Sequence, residues 1–261
     1  MRRASLRPSL LVVAGRDSVG GAGIDADRAG MEGLAIDVHC VVTAETQQDD
    51  RSVRSIGARS AAAWLAEALD VARAGIDALK FGLLPGEDHI AAAAELIEFV
   101  RRRAPCPVVV DPVIAASSGS RFLAASAVAA LRSSLCTRPV VVSPNVLEAA
   151  ELTCRSADEL AGSPAARLQA AGELLDLGAL AVVLKGGHAL EDPVTDLVLA
   201  RGSSPVWLAH PRIPGGKIRG SGCRFAARLA AELALGRDLV AAAKFAGDHV
   251  LSAIRGGPAR G

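Results

Sequence analysis

The chain has 261 residues, a formal net charge of +1 and 51% apolar residues, enough for a sizeable core. Charge this balanced gives no basic footprint for nucleic acid or an anionic membrane, and the apolar runs break well short of the ~20 residues of a membrane helix. Cys40, Cys106, Cys136, Cys154 and Cys223 are odd in number and form no Cys-x-x-Cys pair, which excludes a zinc or disulfide framework and fits reduced thiols in the cytoplasm.

The basic start, Met1 to Leu11, lacks the apolar core of a signal peptide. From there short β-rich runs alternate with longer helical ones. Strands are predicted over residues 10–14, 37–43, 78–81, 107–110, 140–143 and 181–184. Helices are predicted over 22–33, 61–74, 89–103, 122–131, 146–152, 165–177, 222–235 and 238–254. Continuously apolar strands such as Val108-Val109-Val110 suit a sheet buried on both faces. The alternation predicts an α/β fold, a three-layer α/β/α sandwich with a mainly parallel central sheet, in one domain over residues 1–261. In such sheets ligands bind beyond the carboxyl ends of the strands, so the loops there are the place to look for chemistry.

The first such loop runs from Gly15 to Gly23 and fits neither a dinucleotide fingerprint nor a Walker loop. Read as a binding loop, its glycines, Gly15 among them, admit a flat ligand to the backbone, and Asp27 accepts from the ligand's amino group. Read blandly, it is a flexible turn. The second runs from Thr43 to Asp49, a polar loop where an apolar strand ends, and Gln48 can donate and accept at an aminopyrimidine edge. Asp111 follows the fourth strand. Asn145 and Glu148 follow the fifth, either as oxygen donors to hydrated magnesium or as a plain helix start with Ser143 as cap and Pro144 in first position. Lys185 and Gly186 follow the sixth strand, as a cation and open backbone beside a nucleotide or as a glycine turn. Gly220-Ser221-Gly222-Cys223 opens a helix, where backbone N–H groups form an anion hole. The helix dipole there is expected to lower the Cys223 thiol pKa; otherwise Cys223 is a small buried residue. Together these loops supply what phosphoryl transfer needs.

The order of these motifs resembles the hydroxymethylpyrimidine/phosphomethylpyrimidine kinases of the ribokinase-like superfamily. The resemblance rests on Gly20-Gly21-Ala22-Gly23 with Asp27, Thr43-Ala44 with Gln48, Lys80-Phe81-Gly82, Asp111-Pro112-Val113 with Ser118-Gly119, Pro144-Asn145 with Glu148, Lys185-Gly186-Gly187-His188 and Gly220-Ser221-Gly222-Cys223. It implies an ATP- and magnesium-dependent cytoplasmic kinase, a homodimer, acting on hydroxymethylpyrimidine and then on its monophosphate. It implies that Gln48, Asp27 and Gly15 hold the pyrimidine, and that Cys223 lies beside the attacking hydroxyl. Gly220, Gly222 and Cys223 would offer amides to the phosphate, Asp111 and Glu148 would serve magnesium, and Lys185, Gly186 and Asn145 the nucleotide. If the thiol takes the hydroxyl proton, Cys223→Ala lowers kcat by about 10²-fold.

Three positions depart from the family pattern. Ser117 stands where the family has lysine, Arg219 where it has histidine, and Arg224 where it has threonine. Lys217, Arg219 and Arg224 surround the expected anion hole, and Arg219, in the turn, is the expected replacement for the lost charge. A pyridoxal or pyridoxine kinase, or a pyrimidine-binding sensor with weak catalysis, are the alternative readings.

Overall fold

The computed structural model describes residues 7–48, 53–116 and 119–256. A nine-stranded sheet runs in the order β3-β2-β1-β4-β5-β6-β7-β8-β9. Its strands are β1 Ser9–Asp17, β2 Asp37–Gln48, β3 Val53–Ala58, β4 Ala78–Phe81, β5 Val108–Val110, β6 Val141–Val142, β7 Ala181–Leu184, β8 Val194–Ala200 and β9 Val206–His210. From β2 through β7 every neighbouring pair is parallel, and antiparallel strands close both edges.

Helices cover both faces. Six pack on one: α2 Ala61–Ala74, α3 Glu87–Arg103, α4 Ala125–Ser134, α5 Val146–Thr153, α6 Ala157–Gly162 and α7 Pro164–Leu177. Three pack on the other: α1 Gly23–Gly30, α8 Ser221–Ala234 and α9 Leu239–Gly256. The period of two sorts side chains between these layers. Leu11, Val13, Leu79 and Phe81 face the first, Leu10, Val12 and Ala78 the second. Lys80 alternates with Leu79 and Phe81, so it points into the α1/α8 layer.

Alanine sets the spacing there. Ala226, Ala227, Ala230 and Ala231 of α8 are fully buried. A Cβ on Gly30 of α1 would come within 2.5 Å of the Arg224 carbonyl oxygen, so these two helices touch backbone to backbone. That contact presses α1 against the start of α8.

The structure corrects several predicted elements. Residues 15–17 continue β1 instead of forming a loop, and 43–48 continue β2, which turns back antiparallel as β3. The polar run from Thr43 reads as loop by composition, yet from Ala44 its residues alternate in burial along an edge strand, Ala44 and Thr46 buried and Glu45 and Gln47 exposed. Thr43 Oγ1 donates to Leu83 O at 2.6 Å. β8, β9 and α6 were not predicted, and the helix expected at 122–131 lies at Ala125–Ser134. There Phe122 and Leu123 bond back to Ile114 O at 2.9 and 3.2 Å, which holds the chain extended until Ala124.

Candidate active site

Gly220 caps α8 with φ 70, the left-handed region that favours glycine. A Cβ there would also stand 2.5 Å from Gly21 O and 2.6 Å from the Ala26 Cβ. The turn is therefore fixed by glycine and braced by the start of α1. Beyond it the first-turn amides of Ser221, Gly222 and Cys223 have no intrahelical acceptor, and the helix dipole adds positive potential.

Lys185, one residue past β7, reaches this helix end. Its Nζ lies 3.4 Å from where a Cβ on Gly222 would stand. The same Nζ donates to Asp111 Oδ1 at 2.7 Å and lies 4.0 Å from Glu148 Oε2. Asp111 is one residue past β5, and Glu148 is in the first turn of α5, which follows β6. Three adjacent parallel strands thus deliver one cation and two carboxylates to one point. Burial works against the lysine's charge, but Asp111 and Glu148 outweigh it and hold its pKa above the usual range. Burial pushes the Glu148 carboxyl up to about 7 against the pull of Lys185.

Asn145 has a different employment from the one expected. It, not Ser143, caps α5: its side chain accepts from Glu148 N at 2.9 Å, and Glu148 Oε2 accepts from Asn145 N at 2.7 Å. This reciprocal capping box fixes the Glu148 carboxylate and engages one lone pair of the Asn145 side-chain oxygen. Gly186 is also engaged. Its N–H donates to Asp196 Oδ1 at 2.7 Å, and a Cβ there would sit 2.0 Å from Thr195 O. The exposed Gly187 and His188 remain as the open part of that turn.

The expectation for Cys223 is corrected, and the structure places the two arginines flanking the turn. The Cys223 thiol is pushed up to about 12, because burial and the nearby Asp27 and Asp111 charges overcome Lys80 and a backbone hydrogen bond from Gly23. The dipole does not win there, and the group is a neutral thiol at physiological pH. Arg219 is paired with β1: its Nη2 lies 3.0 Å from Asp17 Oδ2. Arg224 follows the helix round to the seam with α1 and α9, where its charge acts on His249. Of the three cations flanking the turn, Lys217 is the exposed one whose charge acts on His188, beside Lys185.

On the acceptor side, Asp27 lies beneath the site instead of on its wall. It is fully buried, and its Oδ1 accepts from Lys80 Nζ, also fully buried, at 2.7 Å. Burial raises the Asp27 carboxyl to about 6 in spite of Lys80. No solvent-reachable surface is left for a direct pyrimidine contact. Gly15 packs within the protein too, its Cβ position 3.0 Å from Leu83 and 3.5 Å from Ala44 O. Gln48 ends β2, its main chain paired with Val53, and its side chain lies outside the described residues, as does Ser117. Lys80 was visible in sequence as part of the Lys80-Phe81-Gly82 motif and as a lone lysine in the apolar run Ala78-Leu79-Lys80-Phe81, which by itself demands a buried partner.

Among the described residues no three acidic, histidine or cysteine side chains cluster as a dedicated metal cage. Asp111 and Glu148 instead fit a hydrated magnesium ion, which takes one or two carboxylates and fills its shell with water and phosphate oxygens. A helix N-terminus facing a lysine between two carboxylates, at the carboxyl edge of a parallel sheet, defines a small-molecule kinase of ribokinase-like fold.

Comparison with known proteins narrows this. The family model for phosphomethylpyrimidine kinase matches residues 17–261, and the chain belongs to that family. It is 37% identical over 246 residues to the hydroxymethylpyrimidine/phosphomethylpyrimidine kinase of Rhizobium meliloti, covering 94% of this chain and 89% of that one. It is 39% identical over 259 residues to the thiamine biosynthesis bifunctional protein ThiED of Geobacter sulfurreducens, 97% of this chain and 51% of that one. Pyridoxal kinase from Staphylococcus aureus, solved with AMP-PCP and pyridoxal, superposes with a TM-score of 0.83 at 28% identity, covering 96% of this chain and 89% of that one.

Proposed function

We propose that the protein transfers the γ-phosphoryl group of ATP to the hydroxymethyl oxygen of 4-amino-5-hydroxymethyl-2-methylpyrimidine, and then phosphorylates the resulting monophosphate, in thiamine biosynthesis. The observation that carries this reading is the Lys185 amine, held by Asp111 and Glu148 at the N-terminus of α8. Family membership gives the substrate class.

In the transfer, a bond forms from the hydroxymethyl oxygen to phosphorus and the bond from phosphorus to the ADP oxygen breaks. Charge on the moving phosphoryl group is met by the amides of Gly220, Gly222 and Cys223 and by Lys185. Lys217 adds charge from the loop before the cap and takes over the role expected of Arg219 in offsetting Ser117. Asp111 and Glu148 are the residues that would hold magnesium, which neutralises phosphate charge when bound. Cys223 acts as a neutral neighbour of the hydroxyl: a loose transition state needs little base strength, and the hydroxyl proton leaves late, to an oxygen of the transferred phosphoryl group and from there to water. Gln48 remains our choice for the pyrimidine edge, since the end of β2 lies on the same edge of the sheet as Asp111 and Lys185.

A single domain over residues 1–261 is supported by the continuous sheet. A cytoplasmic homodimer completes the reading, and none of the described helices is long and apolar enough to cross a membrane. The pyridoxal-bound relative gives a second substrate reading, a hydroxymethyl pyridine. Steady-state turnover of ATP with the pyrimidine and with pyridoxal decides between them: kcat/KM should favour the pyrimidine. Binding without turnover of either supports a sensor.

A further inference from the structure

We propose that Arg212 is a positioning residue for the nucleotide, locking the turn after β7 to the segment that leads into α8. The inference rests on the kinase reading and concerns how its nucleotide side is held.

The turn after β7 carries Gly186, Gly187 and His188, and then Leu190, whose side chain is 78% exposed. A glycine-rich turn ending in an exposed leucine has little side-chain packing to hold it, yet it is gripped from two sides. Arg212, two residues past β9, donates from Nη2 to Ala189 O at 2.7 Å and to Glu191 O at 2.9 Å. From the opposite side Arg167 of α7, fully buried, takes the Glu191 carboxylate, with Thr195 Oγ1 as the carboxylate's second partner. Arg167 is itself fixed by Leu160 O at 3.1 Å and lies over the Trp207 ring at 5.5 Å.

Asp196 adds a third tie. Its Oδ1 accepts from Gly186 N, and its Oδ2 lies 3.3 Å from His210 Nε2 at the end of β9. Arg212 and His210 thus bind the turn after β7 to the very strand end from which residues 211–219 run to the Gly220 cap. These ties join the nucleotide turn to the end of β9 and to Arg212, eight residues before the Gly220 cap, and Arg212, His210 and Arg167 belong to neither the turn nor the helix end. Arg suits this place because one guanidinium serves two carbonyl oxygens in a fixed plane, whereas an ammonium is a point donor. Losing the fork frees the turn to move against α8, which weakens nucleotide contacts without touching the acceptor side.

The test is equilibrium titration of the full chain with ADP, beside steady-state kinetics for both substrates. For Arg212→Met we expect the ADP Kd and the KM for ATP to rise about tenfold, the worth of one charge-assisted hydrogen bond. The KM for the pyrimidine should stay unchanged, and Arg212→Lys should fall between wild type and Arg212→Met. An unchanged ADP Kd, or equal rises in both KM values, overturns the proposal. Should Arg212→Met not fold, Glu191→Gln loosens the same turn from the α7 side. A weaker ADP Kd with an unmoved pyrimidine KM is then expected, and an unmoved ADP Kd overturns the proposal. Wild type that binds no ADP refutes the kinase reading itself; wild-type binding that Arg212→Met leaves intact refutes this inference alone.

Discussion

Among the described residues two buried lysine–aspartate pairs have the same length. Lys80–Asp27 and Lys185–Asp111 are each 2.7 Å apart. The first pair is sealed, with both side chains 0% exposed; in the second the lysine keeps 10%. The difference comes from position along a strand. Lys80 is inside β4 and meets a helix residue, so both groups are roofed by the α1/α8 contact. Lys185 and Asp111 each sit one residue past a strand end, where the sheet opens toward the α8 N-terminus. In the proposed function the same ion pair is a structural tie in one place and reactive equipment in the other, and access separates the two.

Breaking each pair separates the two roles. Lys185→Met should lower kcat by about 10²–10³-fold, the cost of losing one preorganised charge at the transition state. Lys80→Met should act on stability instead. It strands the buried Asp27 carboxylate at a cost of about 3–5 kcal/mol, which lowers Tm by roughly 10 °C in a chain of this size. Replacing both partners, Lys80→Met with Asp27→Leu, should recover most of that Tm, because an apolar pair pays no desolvation. A loss of turnover in Lys80→Met without a loss of Tm would erase the distinction.

The glycines of the helix end sharpen it further. Gly220→Ala forces a side chain into φ 70 and into backbone 2.5 Å away. We expect it to cost stability and at least about 10-fold in kcat, which is about 1.4 kcal/mol and on the scale of one strained residue. Gly222→Ala meets only the Lys185 amine at 3.4 Å, and should mainly raise the KM for ATP.

Smaller effects are expected at the flanking cations. Lys217→Ala should raise the KM for ATP by about tenfold, one charged hydrogen bond to phosphate. Arg219→Ala should leave kcat within about threefold, because its charge is turned to Asp17, an interaction of the scale of a partly exposed ion pair.

Cys223→Ala should cost less than the roughly 10²-fold of a true acid–base group. A thiol pushed up to about 12 stays protonated through the working range. The pH profile of kcat should therefore show no thiol inflection between about pH 7 and 10, the window that spans the ordinary thiol value near 8.5. An inflection there would restore Cys223 as a base.

Much of this was readable in the sequence, for reasons that also explain the misses. The strands at 78–81 and 181–184 and the helix at 61–74 fall where the apolar pattern put them, because continuous burial leaves one reading. The strand ends at Asp111 and Lys185 were legible for the same reason. The β2–β3 hairpin was not, because an edge with polar residues on both faces looks like a loop. Depth was also invisible. Nothing in the spacing of Asp27 shows that α1 is pressed onto α8 by Gly30, which is what buries the carboxylate. Nor does the turn Lys217-Ile218-Arg219 show which cation turns toward Asp17, since that depends on β1 continuing to residue 17. Arg167 lies far in sequence from any motif and Arg212 eight residues before Gly220, and only the fold brings them to the turn after β7.

The most direct test is ADP release by the wild type and by Lys185→Met, with 4-amino-5-hydroxymethyl-2-methylpyrimidine and magnesium ATP. The account predicts pyrimidine-dependent turnover in the wild type and a kcat lower by about 10²-fold or more in Lys185→Met, with an unchanged KM for the pyrimidine. Equal turnover in the two proteins, or none in the wild type, would contradict it.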